Sequence, residues 1–115
     1  MIKMEPKVSI IILNWNGWKD TIECLESVYQ INYTNYDVVI IDNKSEDDSL
    51  EKIQAYCEGK LKVYSEFFDY KSNNKPIEIY GYFQEELKFL KPSQIVSHTP
   101  SNKKLTIIKN NKNLV

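Results

Sequence analysis

The chain has 115 residues, of which 42% are hydrophobic and 27% charged, and its formal net charge at pH 7 is −1. This length allows one domain with a modest core, and the lack of a basic excess argues against nucleic-acid or anionic-membrane binding. All fifteen basic side chains are lysines, so no guanidinium group is available to clamp a phosphate.

The cysteines, the histidine and the apolar runs predict neither a metal site nor a membrane span. Cys24 and Cys57 lack C-x-x-C spacing and His98 is the single histidine, so we expect two buried, reduced thiols and no zinc. The longest apolar run is too short to span a membrane, and the N-terminus lacks the apolar region of a signal peptide. The sequence predicts a cytoplasmic protein, compatible with work at the cytoplasmic face of a membrane.

An apolar run at residues 8–13 opens the predicted fold. Pro6 precedes it and polar residues follow at once, as is typical of a strand buried on both faces of a parallel sheet. A helix is predicted next, with Asn16 at its N-cap position. Its apolar stripe recurs at helical spacing and consists of Trp18, Ile22, Leu25 and Val28.

A second strand and helix follow. The run at residues 38–41 predicts a buried strand that ends at Asp42. Ser45 and Asp48 resemble a capping arrangement, and Gly59 predicts the end of the helix that they begin. Its apolar stripe is Leu50, Ile53 and Tyr56 or Cys57. Strand–helix–strand–helix is the pattern of a parallel α/β unit with right-handed crossovers.

Residues 61–103 interrupt this alternation. LKVYSEFF (61–68) and IEIYGYF (77–83) are strand-like and flank the turn-forming SNNKP, which predicts a β-hairpin. QEELKFLK (84–91) favours a short helix, and the polar residues after it, with two prolines, favour a loop. A third apolar run, residues 105–108, then ends in polar amides.

Three apolar strands therefore end in Asn or Asp. In an open parallel α/β sheet, ligands bind in the crevice outside the carboxyl ends of the strands. We expect residues 14–16, 42–43 and 110–113 to lie around one such crevice. The chain lacks the G-x-G-x-x-G of a dinucleotide site and the G-x-x-x-x-G-K-[ST] of a P-loop. One histidine in a loop offers no Ser-His-Asp arrangement.

The three motifs, in this order, resemble the first half of a family 2 glycosyltransferase with the GT-A fold. Residues 13–16 (LNWN) are similar to the element that ends the family's first strand. Residues 41–47 (IDNKSED) are similar to its V-D-D/N-x-S-x-D element, and residues 110–114 (NNKNL) to its N-x-x-N-x-G element. The LNWNG form is closest in kind to the rhamnosyltransferase-type branch.

The resemblance implies an α/β, Rossmann-like three-layer fold whose sheet is mainly parallel and carries the inserted hairpin. It covers roughly residues 7–60 and 104–114. The implied organisation is a single partial domain over residues 1–115. Its nucleotide-binding core comprises residues 7–60 and 104–115, and residues 61–103 form an insertion.

By the same resemblance, the strand ends hold a nucleoside-diphosphate sugar. Trp15 takes the position of the family's aromatic residue. Asp42, or its neighbour Asn43, hydrogen-bonds to the uracil or thymine edge, where N3–H is a donor. The implied contacts are Leu13, Asn14, Trp15, Asn16, Asp42, Asn43, Asn110 and Asn113. The implied reaction transfers a sugar from a UDP- or dTDP-sugar to a saccharide, lipid or polysaccharide acceptor, with inversion.

The sequence departs from the family pattern near its end. The D-x-D motif that holds Mg²⁺ or Mn²⁺ on the diphosphate, and the catalytic base after it, come beyond the third motif and have no match here. Val115 follows Leu114 where the family has Gly. We therefore expect a truncated domain without catalytic residues or metal ligands, inactive alone, with the divalent metal bound only in the full-length enzyme.

A second interpretation stays open, namely a non-catalytic nucleotide-binding or protein-interaction module. A three-stranded parallel sheet leaves an unpaired edge, which favours self-association into homo-oligomers. A reading frame continuing into a D-x-D segment would favour the enzyme. Residue by residue, structural roles also compete: Asn16 as a helix cap, Trp18 as core, and Asp42 and Asn110 as turn formers.

Overall fold

The computed structural model describes residues 5–83 and 103–110. Within these ranges the chain forms four strands and two helices. In chain order they are β1 (Val8–Asn14), α1 (Trp18–Val28), β2 (Tyr36–Asp42), α2 (Ser49–Cys57), β3 (Glu78–Phe83) and β4 (Lys104–Lys109). The predicted helix over residues 84–91, the loop after it and Asn113 lie outside the described residues.

One parallel sheet contains all four strands, in the order β1-β2-β4-β3. This confirms the predicted α/β class with a parallel sheet. β1 and β2 pair in register from Val8 with Tyr36 to Asn14 with Asp42. The next pair along, between β2 and β4, ends with Asp42 beside Lys109. The carboxyl ends of three strands therefore lie side by side.

Both helices cover the same face of the sheet, so the described residues form a sheet layer and one helix layer. The stripes predicted for α1 and α2 supply the core, since Leu25, Ile53 and Tyr56 are fully buried. Ile40 of β2 and Leu105 of β4 are buried against them. Burying a large aliphatic side chain contributes about 1.5–3 kcal/mol, which explains why these local patterns predicted the elements.

The opposite face of the sheet is apolar at β1. Side chains alternate along a strand, and Ile12 packs against the core while Ile11 and Leu13 are 61% and 73% exposed. In the parts of the chain that the structure describes, no helix is both long and apolar enough to cross a bilayer.

The predicted β-hairpin is wrong. Residues 61–68 form no strand, and β3 pairs in parallel with β4 instead. Tertiary contacts explain the difference, because Val63 is buried in the helix-side core and the Ile77 amide donates to the Cys57 carbonyl at 2.7 Å. Part of the segment predicted as an insertion thus supplies the edge strand of the sheet.

Three further local predictions are corrected. Gly17, and not Asn16, is the N-cap of α1, while Asp48, and not Ser45, is the N-cap of α2. The Asn16 and Ser45 side chains bond between loops instead. Cys24 is exposed, contrary to the prediction of two buried thiols. The predicted end of α2 is confirmed, since Gly59 follows it with a left-handed φ of 82°.

Candidate functional site

The in-register ends of the strands bring four of the predicted site residues together. The last backbone bonds of the sheet run from the Asn43 amide to the Asn14 carbonyl and from the Asn110 amide to the Asp42 carbonyl, both at 2.9 Å. Parallel pairing alone therefore places Asn14, Asp42, Asn43 and Asn110 at one rim. Asn110 is buried there, with 5% of its surface exposed.

Asp42 lies inside this rim and not on its surface. Its exposed fraction is 0% and that of Asn14 is 1%. Its Oδ1 accepts hydrogen bonds from Asn14 Nδ2 at 2.9 Å and from Ser45 Oγ at 2.6 Å. Its Oδ2 accepts one from the Ser45 amide at 3.1 Å. The carboxylate therefore organises the loop that connects β2 with α2.

Asn14 extends the same network to the first helix. Its Oδ1 accepts a 2.6 Å hydrogen bond from Thr21 Oγ1, one turn into α1. Its Nδ2 also donates to Ser45 Oγ at 3.1 Å. Thr21 and Ser45 belong to this network, although neither is among the predicted site residues. Ser45 carried a signal, since it belongs to the second motif, whereas Thr21 carried none.

Asn16 links the two loops above the network. Its side-chain Oδ1 accepts from the amides of Glu46 at 2.8 Å and Asp47 at 3.2 Å. Its own amide donates to Ser45 Oγ at 3.0 Å. Asn16 has a left-handed φ of 49°, a conformation that asparagine tolerates better than most residues.

The groups that the rim presents to solvent differ from those that hold it together. Trp15 is 58% exposed and Leu13 is 73% exposed. Asn43 is half-buried, and Lys44 beside it is exposed with a left-handed φ of 55°. An aromatic ring, an aliphatic side chain and an amide at the ends of two paired strands suit a flat, hydrogen-bonding ligand such as a nucleobase.

The acidic residues near the rim do not form a metal site. Asp47 Oδ1 accepts from the Ser49 amide at 2.9 Å, and Asp48 pairs with Lys52 at 3.9 Å. Across residues 5–83 and 103–110, no three His, Cys, Asp or Glu side chains are grouped so that they could hold a metal ion. The donor set of the described residues therefore does not fit a divalent cation.

Comparison with known proteins decides the family. The family model described as glycosyl transferase family 2 matches residues 9–76, more than half of the chain. The chain belongs to glycosyl transferase family 2. No curated protein and no solved structure matches it.

Family membership gives the site its chemical context. The matched span contains β1, α1, β2 and α2 with both connecting loops. The parallel sheet with two helices agrees with the amino-terminal part of the Rossmann-like GT-A fold. Family 2 glycosyltransferases use nucleotide-sugar donors and acceptor substrates, and generally a divalent metal. The predicted resemblance to the family is thus confirmed.

Proposed function

We propose that this chain is the donor-binding portion of a glycosyltransferase and binds the nucleoside diphosphate of a UDP- or dTDP-sugar at the strand ends. One observation carries the proposal. The exposed Trp15 and the Asn43 amide stand at the ends of two paired strands, within the family match. The hydrogen-bond network beneath them gives these two groups a rigid support.

The proposal divides the site residues by role. Trp15 stacks on the base, and Leu13 lies against the nucleoside. Asn43, which the sequence motif offers as the alternative to Asp42, meets the base edge. An asparagine side chain carries both an acceptor oxygen and a donor nitrogen, which match the N3–H donor and the carbonyl acceptors of a pyrimidine edge. Asp42 and Asn14 do not contact the nucleotide. They are buried and bonded to their neighbours, and they support the loops that carry the contacting residues.

The other proposed elements concern the reaction as a whole. Asn110 and Asn113 lie near the nucleotide, and the sugar is passed to a saccharide, lipid or polysaccharide acceptor. We also propose that the chain belongs to the rhamnosyltransferase-like branch of the family. The described residues offer no metal cluster, and we expect residues 1–115 alone to bind the donor without transferring its sugar. We propose a cytoplasmic location, which is compatible with work at the cytoplasmic face of the membrane.

Nucleotide binding is the first test. In saturation-transfer NMR with UDP, dTDP and ADP, each with and without Mn²⁺, we expect the pyrimidine nucleotides to bind in preference to ADP. The Trp15→Ala variant should lose about tenfold in affinity, since base–aromatic stacking contributes about 1–3 kcal/mol. Asn43→Ala should lose about threefold to tenfold, the value of one or two neutral hydrogen bonds.

The control for these variants is Tyr64→Ala, which removes another exposed aromatic side chain, 86% exposed, from the segment after α2. It should bind like the wild-type chain. A folded wild-type sample that binds none of the three nucleotides would overturn the proposal. Equal affinity for ADP and UDP would refute the role given to Asn43.

A second candidate function rests on the outer edge of the sheet. In the described part of the chain β1 pairs with β2 alone, and its Ile11 is 61% exposed. An exposed apolar edge strand is a template for pairing with another chain, so a non-catalytic module could self-associate there.

Self-association can be measured directly. If the chain is such a module, we expect dimers in sedimentation velocity at about 100 µM, a concentration above the micromolar dissociation constants of weak complexes. The Ile11→Lys variant should be monomeric at the same concentration. Gln54→Lys, which adds the same charge on the exposed side of α2, should leave the dimer intact. Monomeric wild-type protein at this concentration would remove the second candidate.

A further inference from the structure

We propose that Asn16 is a positioning residue that sets the distance between Trp15 and Asn43 without itself contacting the nucleotide. The inference rests on the proposed function of the strand ends. It assigns to Asn16 neither of the roles that the sequence suggested, helix cap or ligand contact. Its basis is the set of bonds that Asn16 makes across the rim.

The side-chain oxygen of Asn16 is fully hydrogen-bonded to the loop that connects β2 with α2. Its Oδ1 has two lone pairs, and the amides of Glu46 and Asp47 occupy both at 2.8 Å and 3.2 Å. Its backbone amide is bonded to Ser45 Oγ. Asn16 Oδ1 therefore has no remaining lone pair with which to accept a hydrogen bond from a ligand.

Ser45 transmits this link to the buried network. Its hydroxyl can donate one hydrogen bond and accept two. It donates to Asp42 Oδ1 at 2.6 Å and accepts from Asn14 Nδ2 at 3.1 Å and from the Asn16 amide at 3.0 Å. All three positions of the hydroxyl are used, so the height of Asn16 above the sheet is defined by its bond to a half-buried group that is itself bonded to the buried Asp42 and Asn14.

The two proposed ligand-binding groups sit on either side of this link. Trp15 directly precedes Asn16, and Asn43 lies two residues before Ser45. The ladder between the two strands ends with the bond from the Asn43 amide to the Asn14 carbonyl. Beyond it, the bonds of Asn16 and Ser45 join the two loops, and Asn16 supplies three of them.

The residue type suits this role. The φ of 49° at Asn16 favours Gly or Asn over other residues. Glycine would keep the backbone conformation but supply no acceptor, whereas aspartate would keep the acceptor and tolerate the conformation. Substitution with these two residues therefore separates the bond from the backbone shape.

The test compares Asn16→Gly and Asn16→Asp with the wild-type chain in two measurements. Amide hydrogen exchange reports the link without any ligand, and UDP titration followed by NMR reports its effect on the site. In Asn16→Gly we expect exchange at Glu46 and Asp47 to rise about tenfold or more, and the dissociation constant for UDP to rise about tenfold, as the loss of one to two hydrogen bonds predicts. In Asn16→Asp both should stay within about threefold of wild type, because the acceptor is retained.

The matched control is Asn35→Ala. Asn35 Nδ2 donates to the Glu5 carbonyl at 2.7 Å, so it also joins two segments through an asparagine side chain, but at the start of β2, at the opposite end of the strand. This variant should leave both the exchange of the two amides and UDP binding unchanged. A general loosening of the fold would instead change amide exchange and UDP binding to the same extent in Asn16→Gly and in Asn35→Ala.

Three outcomes would overturn the inference. Unchanged exchange at Glu46 and Asp47 in Asn16→Gly would show that the link does not hold the second loop. Faster exchange with unaltered UDP affinity would show that the link does not position the site. An Asn16→Asp variant as weak as Asn16→Gly would show that the Asn16 amide nitrogen contacts the nucleotide directly.

Failure of the proposed function is distinguishable from failure of this inference. If the folded wild-type chain binds no nucleotide, the proposed function fails, and the indole N–H resonance of Trp15 replaces the titration. A shifted or broadened Trp15 resonance in Asn16→Gly, with a wild-type resonance in Asn16→Asp, would still support positioning by Asn16. An unaltered resonance in both variants would refute it.

Discussion

Replacing Lys75 with methionine is expected to lower the free energy of unfolding by about 3–5 kcal/mol, the cost of leaving a buried charge without its partner. Lys75 Nζ lies 2.8 Å from Glu26 Oε1, and the two side chains are 4% and 0% exposed. Methionine fills much of the same volume, so the expected loss is electrostatic in origin. Urea-induced unfolding at pH 7 measures it.

The ion pair is expected to contribute this much to the free energy of unfolding because it connects distant parts of the chain. Glu26 also accepts from the Tyr56 hydroxyl and the Lys71 amide, each at 2.8 Å. The Lys75 ammonium lies 4.6 Å from the centre of the Tyr70 ring. Together these contacts hold the segment before β3 against both helices, where an isolated charge would be poorly solvated.

Two comparisons test the explanation. Lys60→Met removes a similar pair with Glu58, at 3.4 Å but with side chains 73% and 43% exposed, and should cost less than about 1 kcal/mol. The double variant Lys75→Met with Glu26→Gln removes the charge and keeps a hydrogen-bond acceptor for Tyr56. It should be more stable than Lys75→Met alone, and a double variant that is less stable would refute the buried-charge explanation.

The contribution of Glu26 to the stability of the fold changes with pH in a defined direction. Burial alone raises the pKa of Glu26, but hydrogen bonds from Lys75, the Lys71 amide, Tyr56 and Gln30 outweigh it and hold this pKa below the ordinary value of 4.5. A lowered folded-state pKa stabilises the native state above the ordinary value, and the contribution is lost as the pH falls through the folded pKa. Removing Lys75 takes away one of the hydrogen bonds that lower this pKa, so the pKa of Glu26 rises and the cost of Lys75→Met should shrink as the pH is lowered from 7 to 4.

Replacing Asp42 with alanine is expected to cost about 2–4 kcal/mol of stability, since it removes the acceptor for donors of the buried Asn14 and the half-buried Ser45. Three hydrogen bonds of 2.6–3.1 Å end on this carboxylate, which is 0% exposed. A residue whose work was confined to touching the nucleotide would lose affinity on substitution and keep its stability. Chemical unfolding and UDP titration of the same variant separate these cases.

Asp42→Asn should lie between alanine and the wild type. One amide oxygen can still accept a hydrogen bond, but the amide NH₂ is a donor and must face either the Ser45 amide or the Asn14 and Ser45 side-chain donors. We expect a loss of about 1–2 kcal/mol, the cost of one unsatisfied pair. Equal stability of Asp42→Asn and the wild type would contradict the network as described.

The matched control for Asp42 is Asp37→Ala on the same strand. The Asp37 carboxylate pairs with Lys7 at 3.3 Å, and both side chains are more than half exposed. Exposed pairs contribute about 0–1 kcal/mol, so this variant should unfold almost like the wild type. A loss as large as that of Asp42→Ala would show that removal of any carboxylate from β2 disturbs the sheet.

The sequence by itself indicated the family and the helices and strands that the structure describes, and it failed only where it predicted a strand at residues 61–68. Helix stripes such as Ile22 and Leu25 and buried strands such as residues 38–41 are local patterns, because each reflects the repeat of one element against a core. The motifs at residues 13–16 and 41–47 could also be recognised locally, and both lie inside the family match. The strand ends as a candidate site follow from parallel pairing, which the alternation of strands and helices already predicts.

Only the tertiary structure decided which partners the polar groups take. Glu26 and Lys75 are 49 positions apart, and no local pattern pairs them. Asn16 is a residue type that helix caps prefer, yet its oxygen bonds to amides 30 and 31 residues away. The strand-like residues 61–68 and β3 do not pair, because contacts with the helices and with β4 displace the local hairpin. Hydrogen bonds and buried charges are satisfied by whatever the fold brings within about 3 Å, and that proximity arises between segments far apart in the chain.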